Sequence, residues 1–497
     1  MMTGKSALAR SIADTVAESG MSIASYFISR SIPQSRKAER VVQTLAYQLA
    51  QQDADICEEL LATLTLDPGL LQQNIKGQVQ QLLLAPLASA YSTMTSPTVI
   101  IIDGLDEAED VQTLLFEVVE PVATALSSLP QRTKLILSSR EFGALRTARM
   151  EGALQKATDV QWLHEIDEVT VRSDMRMFFT AGLRRIRQRA NLDLTWPTNT
   201  QVNEITDRAR SLFIYAATVL HFLGEEQYSP KTRLEQLLSS HRHLPAASGA
   251  SGSALAELDA LYMEILLSFV GNTPMSLESD LVRRLRLVLA AVIYAAEPMS
   301  MRILSGILSI HITDLEPIIR GLAAIWVVPQ DRDDLVFIYH LSFSEFIGDA
   351  TRCTAPRFCV TPAAAHEMLA NGCVRKMAQT LRRDIFNLIK PGEPLPQIES
   401  YSLGIIEEVV EPTLRYACLH GIDTHLRQSF ACGDPTTIPI PKLVDEFTKF
   451  CDEHLLHWVE VRVVLGEDSL KTLIRTLHHW TVFKPVCFKD NLICSFH

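Results

Sequence analysis

The sequence predicts an α/β domain built on a mostly parallel sheet, followed by a small helical domain, a winged helix and a C-terminal helical domain. Three observations predict it. The first 140 residues alternate helical and strand-like patterns. From about Val171 onward the apolar spacing is that of helices. Between residues 299 and 340 helices give way to two short strand-like runs, the order of a helix-and-hairpin module.

Each element has a local reason. Residues 5–18 carry Leu8, Ile12 and Val16 at i, i+4 and i+8, with Gly20 as a stop, which predicts an amphipathic helix. Residues 23–28 read as a strand and 36–50 as a second helix. Residues 98–102 form a continuous apolar run ending in acid, and residues 133–137 a second strand-like run ending in Ser138-Ser139-Arg140. Both suit buried parallel strands with functional residues at their carboxyl ends. Val202, Ile205, Ala209, Leu212 and Phe213 mark one long apolar helical face. Residues 244–253, LPAASGASGS, read as a flexible connector. Helices follow at 258–269 and 279–296, with a short one after Pro298. Then come runs 325–328 and 335–340 separated by PQDRDD. Residues 355–480 read as further helices without a repeat of fixed period, and the final VCFKDNLICSFH carries no legible pattern. The expected division is 1–165, 166–243, a linker at 244–256, 257–350, 351–480 and a tail at 481–497.

Of 497 residues, 46 are Lys or Arg and 58 Asp or Glu, a formal charge of −12, with 47% hydrophobic and 21% charged residues. This is a globular composition long enough for two to four domains of about 100–200 residues. It excludes collagen-like and disordered chains, and the negative charge disfavours general nucleic-acid binding. Apolar stretches such as 288–296 fall short of the ~18 residues that span a bilayer, so no membrane segment is expected. The opening MMTGKSALAR lacks the basic and apolar regions of a secretory signal. Nine cysteines, an odd number scattered without C-x-x-C pairs, suggest reduced thiols in a cytoplasmic protein.

Gly4-Lys5-Ser6 ahead of an amphipathic helix is the back half of the P-loop pattern G-x-x-x-x-G-K-[ST]. In that loop backbone N–H groups and a helix N-terminus hold phosphates, Lys adds a point charge, and Ser ligates Mg2+. With Gly4 in the sixth position Met1 is only the third, so the pattern is truncated and its preceding strand is missing. TGKS alone is a weak signal. VIIIDGLDEAED strengthens it, because Asp103 ends an apolar strand where a Walker B acid would hold Mg2+ through water. Asp106 and Glu107 follow where an acid orients water, and Arg140 follows the KLILSS run where it would sense a γ-phosphate. The blander readings are an acidic helix start for residues 103–110 and a solvated strand end for Arg140.

The stretches TGKSALA, SYFISR, TLAYQLA, VIIIDGLDE, KLILSSRE, SLFIYAATV, LDALYMEIL, YHLSFSEFI and YACLHGIDTHL succeed one another from residue 3 to about 465. In this combination the chain resembles the NACHT domains of the signal-transducing (STAND-class, NLR-like) P-loop NTPases, most closely fungal NACHT proteins that often carry WD repeats. The resemblance implies ATP/ADP and Mg2+ as cofactors. It assigns the phosphate loop to Thr3, Gly4, Lys5, Ser6 and Ala7, and the Mg2+ contacts to Ser6 and Asp103. Asp106 and Glu107 become the acidic pair and Arg140 the sensor arginine. His340 falls where related proteins have a winged-helix histidine that reaches the β-phosphate of ADP; without the resemblance it reads as a strand-end core residue. Such proteins are switches with at most slow ATPase activity, closed with ADP and self-associating when ATP opens them. The resemblance also places the missing strand in mid-sheet, so its neighbours are expected to expose backbone edges. No output domain or repeat array is legible in the chain.

Two other readings stay open. One is a nucleotide-independent scaffold, a degenerate NACHT fragment binding unknown protein effectors. The other is a DNA-associated ATPase, disfavoured by the acidic charge and by Arg302 as the one base in residues 299–309. The spacing of Cys353, Cys359, His366 and Cys373 does not match zinc pairs and favours core packing. His420, His425, His454 and His457 read as core and surface histidines without a role.

Overall fold

The computed structural model describes residues 4–29, 32–90, 97–128, 133–151, 154, 159–163, 165–240, 254–271, 275–386, 409–431 and 441–465. Thr3, the expected connector at 244–253 and the tail at 481–497 lie outside the described residues. The chain divides into two compact units, Met1–Leu258 and Asp259–His497.

The first unit begins with α1 (Lys5–Glu18), whose N-terminal flank Gly4 takes the left-handed φ of 74°. Gly20, with the same φ, turns the chain after the helix as its sequence position predicts. A short link leads to β1 (Ser22–Phe27), which runs parallel to β2 (Thr98–Asp103), and β2 runs parallel to β3 (Thr133–Leu137). The order is β1-β2-β3, with Ser22 opposite Thr98 and Thr98 opposite Thr133. At β2 this corrects the expectation of exposed backbone edges in mid-sheet. The strand pairs directly with β3, both its backbone edges are bonded, and its six residues are all buried.

Strand alternation sends Val99 and Ile101 to one face and Ile100 and Ile102 to the other. The first pair meets α1 through Ala9, Ala13 and Val16 with Ile12 packed beside them, so that of the expected Leu8, Ile12, Val16 stripe only Leu8 stays out of the contact. Small side chains bring the helix close to the sheet, and Leu8 is left exposed. The second pair is covered by α2 (Ala38–Ala50), α3 (Ala54–Leu66), α4 (Ile75–Val79), α5 (Ala85–Ala90), α6 (Val111–Thr113) and α7 (Glu120–Ser128). Two π-helical turns, Gln80–Leu84 and Leu114–Val119, join α4 to α5 and α6 to α7. The expected helix at 36–50 starts later, because Pro33–Arg36 forms a separate 3-10 turn and Lys37 is extended. After α8 (Gly143–Glu151) come α9 (Glu168–Arg189), α10 (Asn199–Ala209), α11 (Phe213–Leu223) and α12 (Pro230–Ser240). Arg233 is buried among them, 2.8 Å from Glu225 and stacked 4.1 Å from the Phe222 ring and 3.7 Å from that of Tyr228.

Around the second unit's start lies α13 (Ala254–Val270), followed by α14 (Met275–Tyr294), α15 (Met301–Leu308) and α16 (Ile312–Gly321). Next come β4 (Trp326–Val327), paired antiparallel with β5 (Phe337–Ile338), and a bridge from Ser300 to Leu335. Trp326 anchors this hairpin by donating its indole N–H to the Ile319 carbonyl at 2.7 Å. Beyond α17 (Leu341–Gly348) the chain is helical: α18 (Pro362–Thr380), α19 (Pro412–His420), a π-helical turn at Gly421–Leu426, α20 (Arg427–Ala431) and α21 (Pro441–Val464). Among the described residues no helix is long and apolar enough to cross a membrane. The described cysteines, Cys57, Cys353, Cys359, Cys373, Cys418 and Cys451, are free.

Candidate functional site

The site grows from the carboxyl edge of the sheet. β2 is apolar up to Asp103, whose side chain is 2% exposed. Gly104 then turns the chain at φ 77°, where a Cβ would lie 2.8 Å from the Ile28 carbonyl oxygen, so the turn requires glycine. A buried carboxylate needs a donor. Asp103 has one in Ser138 at the end of β3, whose hydroxyl donates to its Oδ1. The same Ser138 accepts at its carbonyl from the N–H groups of Gly104 and Leu105, at 3.0 and 3.1 Å. β3 thereby fixes both the acid and the turn that follows it.

The next turn, Leu105–Glu107, carries Asp106 toward residue 140. Asp106 accepts the Arg140 backbone N–H at 2.9 Å, and its other carboxylate oxygen lies 3.7 Å from the Arg140 guanidinium. Arg140 is 39% exposed and Asp106 11%, so this ion pair sits at the surface of the edge. The Glu107 carbonyl accepts from Arg36 Nε at 3.2 Å, and the Glu109 N–H donates to the Arg36 carbonyl at 2.9 Å. The 3-10 turn before α2 thus straps the acidic loop in place.

α1 lies antiparallel to the strands. Its end is tied by a three-residue link to the start of β1, and Arg10 stacks 4.4 Å from the ring of Phe27 at the end of β1. Its first turn is therefore directed to the edge that carries Asp103. Lys5 there is half-buried, while Ser6 and Ala7 are exposed. Phe213, the first residue of α11, packs on Gly4, where a Cβ would sit 3.6 Å from its ring. A helix N-terminus presents unpaired N–H groups and a positive dipole end, which suits an anion.

His340 is in the second unit, at the N-terminal cap of α17. Its Nδ1 accepts the Ser342 N–H at 3.0 Å, which places the ring proton on Nε2 when the ring is neutral. The buried Ser342 hydroxyl lies 2.9 Å from that nitrogen and 2.7 Å from the Tyr262 hydroxyl.

The residues singled out from sequence in the first unit, Gly4, Lys5, Ser6, Ala7, Asp103, Asp106, Glu107 and Arg140, thus fall at the start of α1, at the end of β2 and on the loops beyond β2 and β3. The donor set fits a Mg2+ ion held mainly by phosphate and water oxygens with one carboxylate. Among the described residues no group of three or more His, Cys, Asp or Glu side chains is arranged to hold a metal by itself. Sequence reasoning missed the parts played by Ser138, Arg36 and Phe213. For Ser138 its place at a strand end beside an acid-capped strand was a usable signal. For Arg36, distant in sequence from Glu107, there was none.

Residues 1–140 match the family model described as Nephrocystin 3, N-terminal. That span holds α1, the whole three-stranded sheet and the edge residues through Arg140, and it excludes His340. No curated protein matches the chain.

Proposed function

We propose that this chain is a NACHT-type ATP/ADP-binding switch, at most a slow ATPase, that acts in the cytoplasm and self-associates in a nucleotide-dependent way. The observation that carries the reading is the buried Asp103, held by Ser138 at the end of a central parallel strand, with Asp106 and Arg140 beside it. In this reading Lys5 and the N–H groups of Gly4 to Ala7 bind phosphate oxygens. Asp103 and Ser6 hold Mg2+, which would neutralise charge on the phosphates. Asp106 and Glu107 orient water, and Arg140 leaves Asp106 for the γ-phosphate. The role of His340 at a β-phosphate rests on the resemblance alone, as do the domain limits given above. Reading residues 257–350 as a winged helix is supported by the succession α14, α15, α16, β4, β5 with its Ser300–Leu335 bridge. The one base of the would-be recognition helix, Arg302, is engaged by Asp333 at 2.7 and 3.0 Å, which weighs against nucleic-acid binding.

The test is to purify the full chain, denature it and identify released nucleotide by chromatography, with Lys5→Ala as control. The expected result is ADP or ATP near one per chain, lost in the variant. A protein empty of nucleotide and indifferent to the substitution would overturn the switch and leave the scaffold reading.

A further inference from the structure

Helices α9 and α10 of the first unit pack side by side in opposite directions, and their two ends are finished differently. At one end Arg172 of α9 meets Asp207 of α10 at 2.7 Å, an ion pair that joins the helices. At the other end, among the described residues, no ion pair joins them, and an open cavity of about 360 Å3 lies between α9 and the start of α10. Small-molecule sites span about 300–1,000 Å3, so the volume suits one. Leu183 and Val202, both buried, give the cavity an apolar floor. Arg184 and Arg187, three residues apart and so on one face of α9, stand on one side. The segment leading into α10, with Thr195 and Asn199, stands on the other.

The charge gathered at this cavity is all of one sign. Among the described residues no acidic side chain lines it. Arg187 donates to the Leu194 carbonyl at 3.0 Å, which holds its guanidinium against the facing segment while one bond occupies only part of its fork of five donors. Arg184 has no carboxylate partner among the described residues. The capping box of α10 uses the Thr198 hydroxyl for the Gln201 N–H and the Gln201 side chain for the Thr198 N–H. It leaves the N–H groups of Asn199 and Thr200, which the helix cannot satisfy internally, at the positive end of the α10 dipole. Two guanidinium groups and a helix N-terminus around one hollow repel one another, and an anion placed between them removes that cost. Carboxylates are abundant in a chain of charge −12, and Arg172 on the same helix has one, yet none faces this pair.

We propose that the cavity between α9 and α10 binds a phosphate monoester carried on a small hydroxyl-bearing body. A guanidinium fork matches two phosphate oxygens at once, and the free N–H groups at the start of α10 suit another. A phosphate monoester carries nearly two negative charges and so balances both arginines, where a single carboxylate would balance one. Thr195 and Asn199 supply hydrogen bonds for hydroxyls of the body, and Leu183 and Val202 cover its carbon atoms. None of these residues lies on α1 or on the loops beyond β2 and β3, so the site is separate from the edge that carries Asp103 and does not rest on the proposed nucleotide.

The test uses the full chain carrying Lys5→Ala, so that the proposed nucleotide site contributes nothing to the signal. Glycerol phosphate is titrated in and followed by calorimetry. A second arm uses phosphatidylcholine vesicles containing phosphatidic acid, which offer the same phosphate monoester as a lipid headgroup. Saturable binding is expected, weakened at least about tenfold by Arg184→Gln, an exposed position whose loss spares the core. Arg185→Gln removes the same charge from the neighbouring exposed position, which does not line the cavity, and should leave binding within about twofold. Amide exchange at residues 194–202 should slow in the presence of the ligand. Binding with this dependence in one arm alone upholds the site and tells whether its phosphate arrives free or on a lipid. No saturable binding in either arm, or equal weakening by Arg184→Gln and Arg185→Gln, would overturn it.

Discussion

The two faces of the N-terminal sheet are covered very unequally. On one, a single helix lays Ala9, Ala13 and Val16 over Val99 and Ile101. On the other, Ile100 and Ile102 lie under a core that takes in Val41, Val42, Leu45, Leu49, Leu115 and Val118, none more than 1% exposed. Stabilisation by apolar contact scales with the area removed from water, so the two coverings differ severalfold in what holds them. The lightly held one is the helix whose first turn is proposed to receive phosphate. Segments with few buried contacts open first, and a ligand bound to the closed form adds its binding free energy to holding them shut. The thick face is scaffold, and the thin face is where a nucleotide can change how firmly the unit is closed.

Substitutions across the two faces sharpen or break that contrast. Leu45→Ala in α2 should cost about 2–5 kcal/mol in denaturant unfolding, because it leaves a cavity in a core with no slack. Gly104→Ala should cost about 2–4 kcal/mol, from a left-handed backbone and a Cβ driven against the Ile28 carbonyl. Equilibrium unfolding of that variant, followed by far-UV circular dichroism, reads the loss. Ser138→Ala takes a donor from the buried Asp103 carboxylate and should cost about 1.5–3 kcal/mol. Urea unfolding of the variant beside the wild type would show or refute that loss. Val16→Ala on the thin face should cost only about 1–2 kcal/mol globally, while exchange of the α1 amides rises more than that of β2. A loss as large as that of Leu45→Ala, or exchange spread evenly through the unit, would remove the distinction between the faces.

Much of the first unit was legible because its elements are short-range patterns. The helix at residues 5–18 and the strand at 133–137 occur at the predicted limits. The predicted strand at 23–28 is shifted by one residue, with the Ile28 N–H still bonded to the Asp103 carbonyl at 2.9 Å. The hairpin runs at 325–328 and 335–340 shrink to two paired residues each. What could not be read is lateral arrangement. Periodicity gave α1 an apolar stripe through Leu8, Ile12 and Val16, of which Ile12 and Val16 do pack on the sheet, but the close approach of helix to sheet brings in Ala9 and Ala13 and leaves Leu8 in solvent. The pairing of β2 with β3 likewise leaves no local mark, since any two buried parallel strands look alike in sequence. The site divides the same way. Asp103 announced itself as an acid ending an apolar strand, whereas Ser138 and Arg36 meet partners far from them in sequence, a separation settled only by folding.

The Asp106–Arg140 pair has a kinetic meaning for any anion that arrives at the edge. Arg140 is already matched with a carboxylate, so a phosphate reaching it replaces one partner with another and does not neutralise a naked cation. Such an exchange changes the local charge balance little. Recruitment through Arg140 should then be slower than simple attraction and only weakly blunted by added salt, with Lys5 carrying most of the ionic-strength dependence of capture.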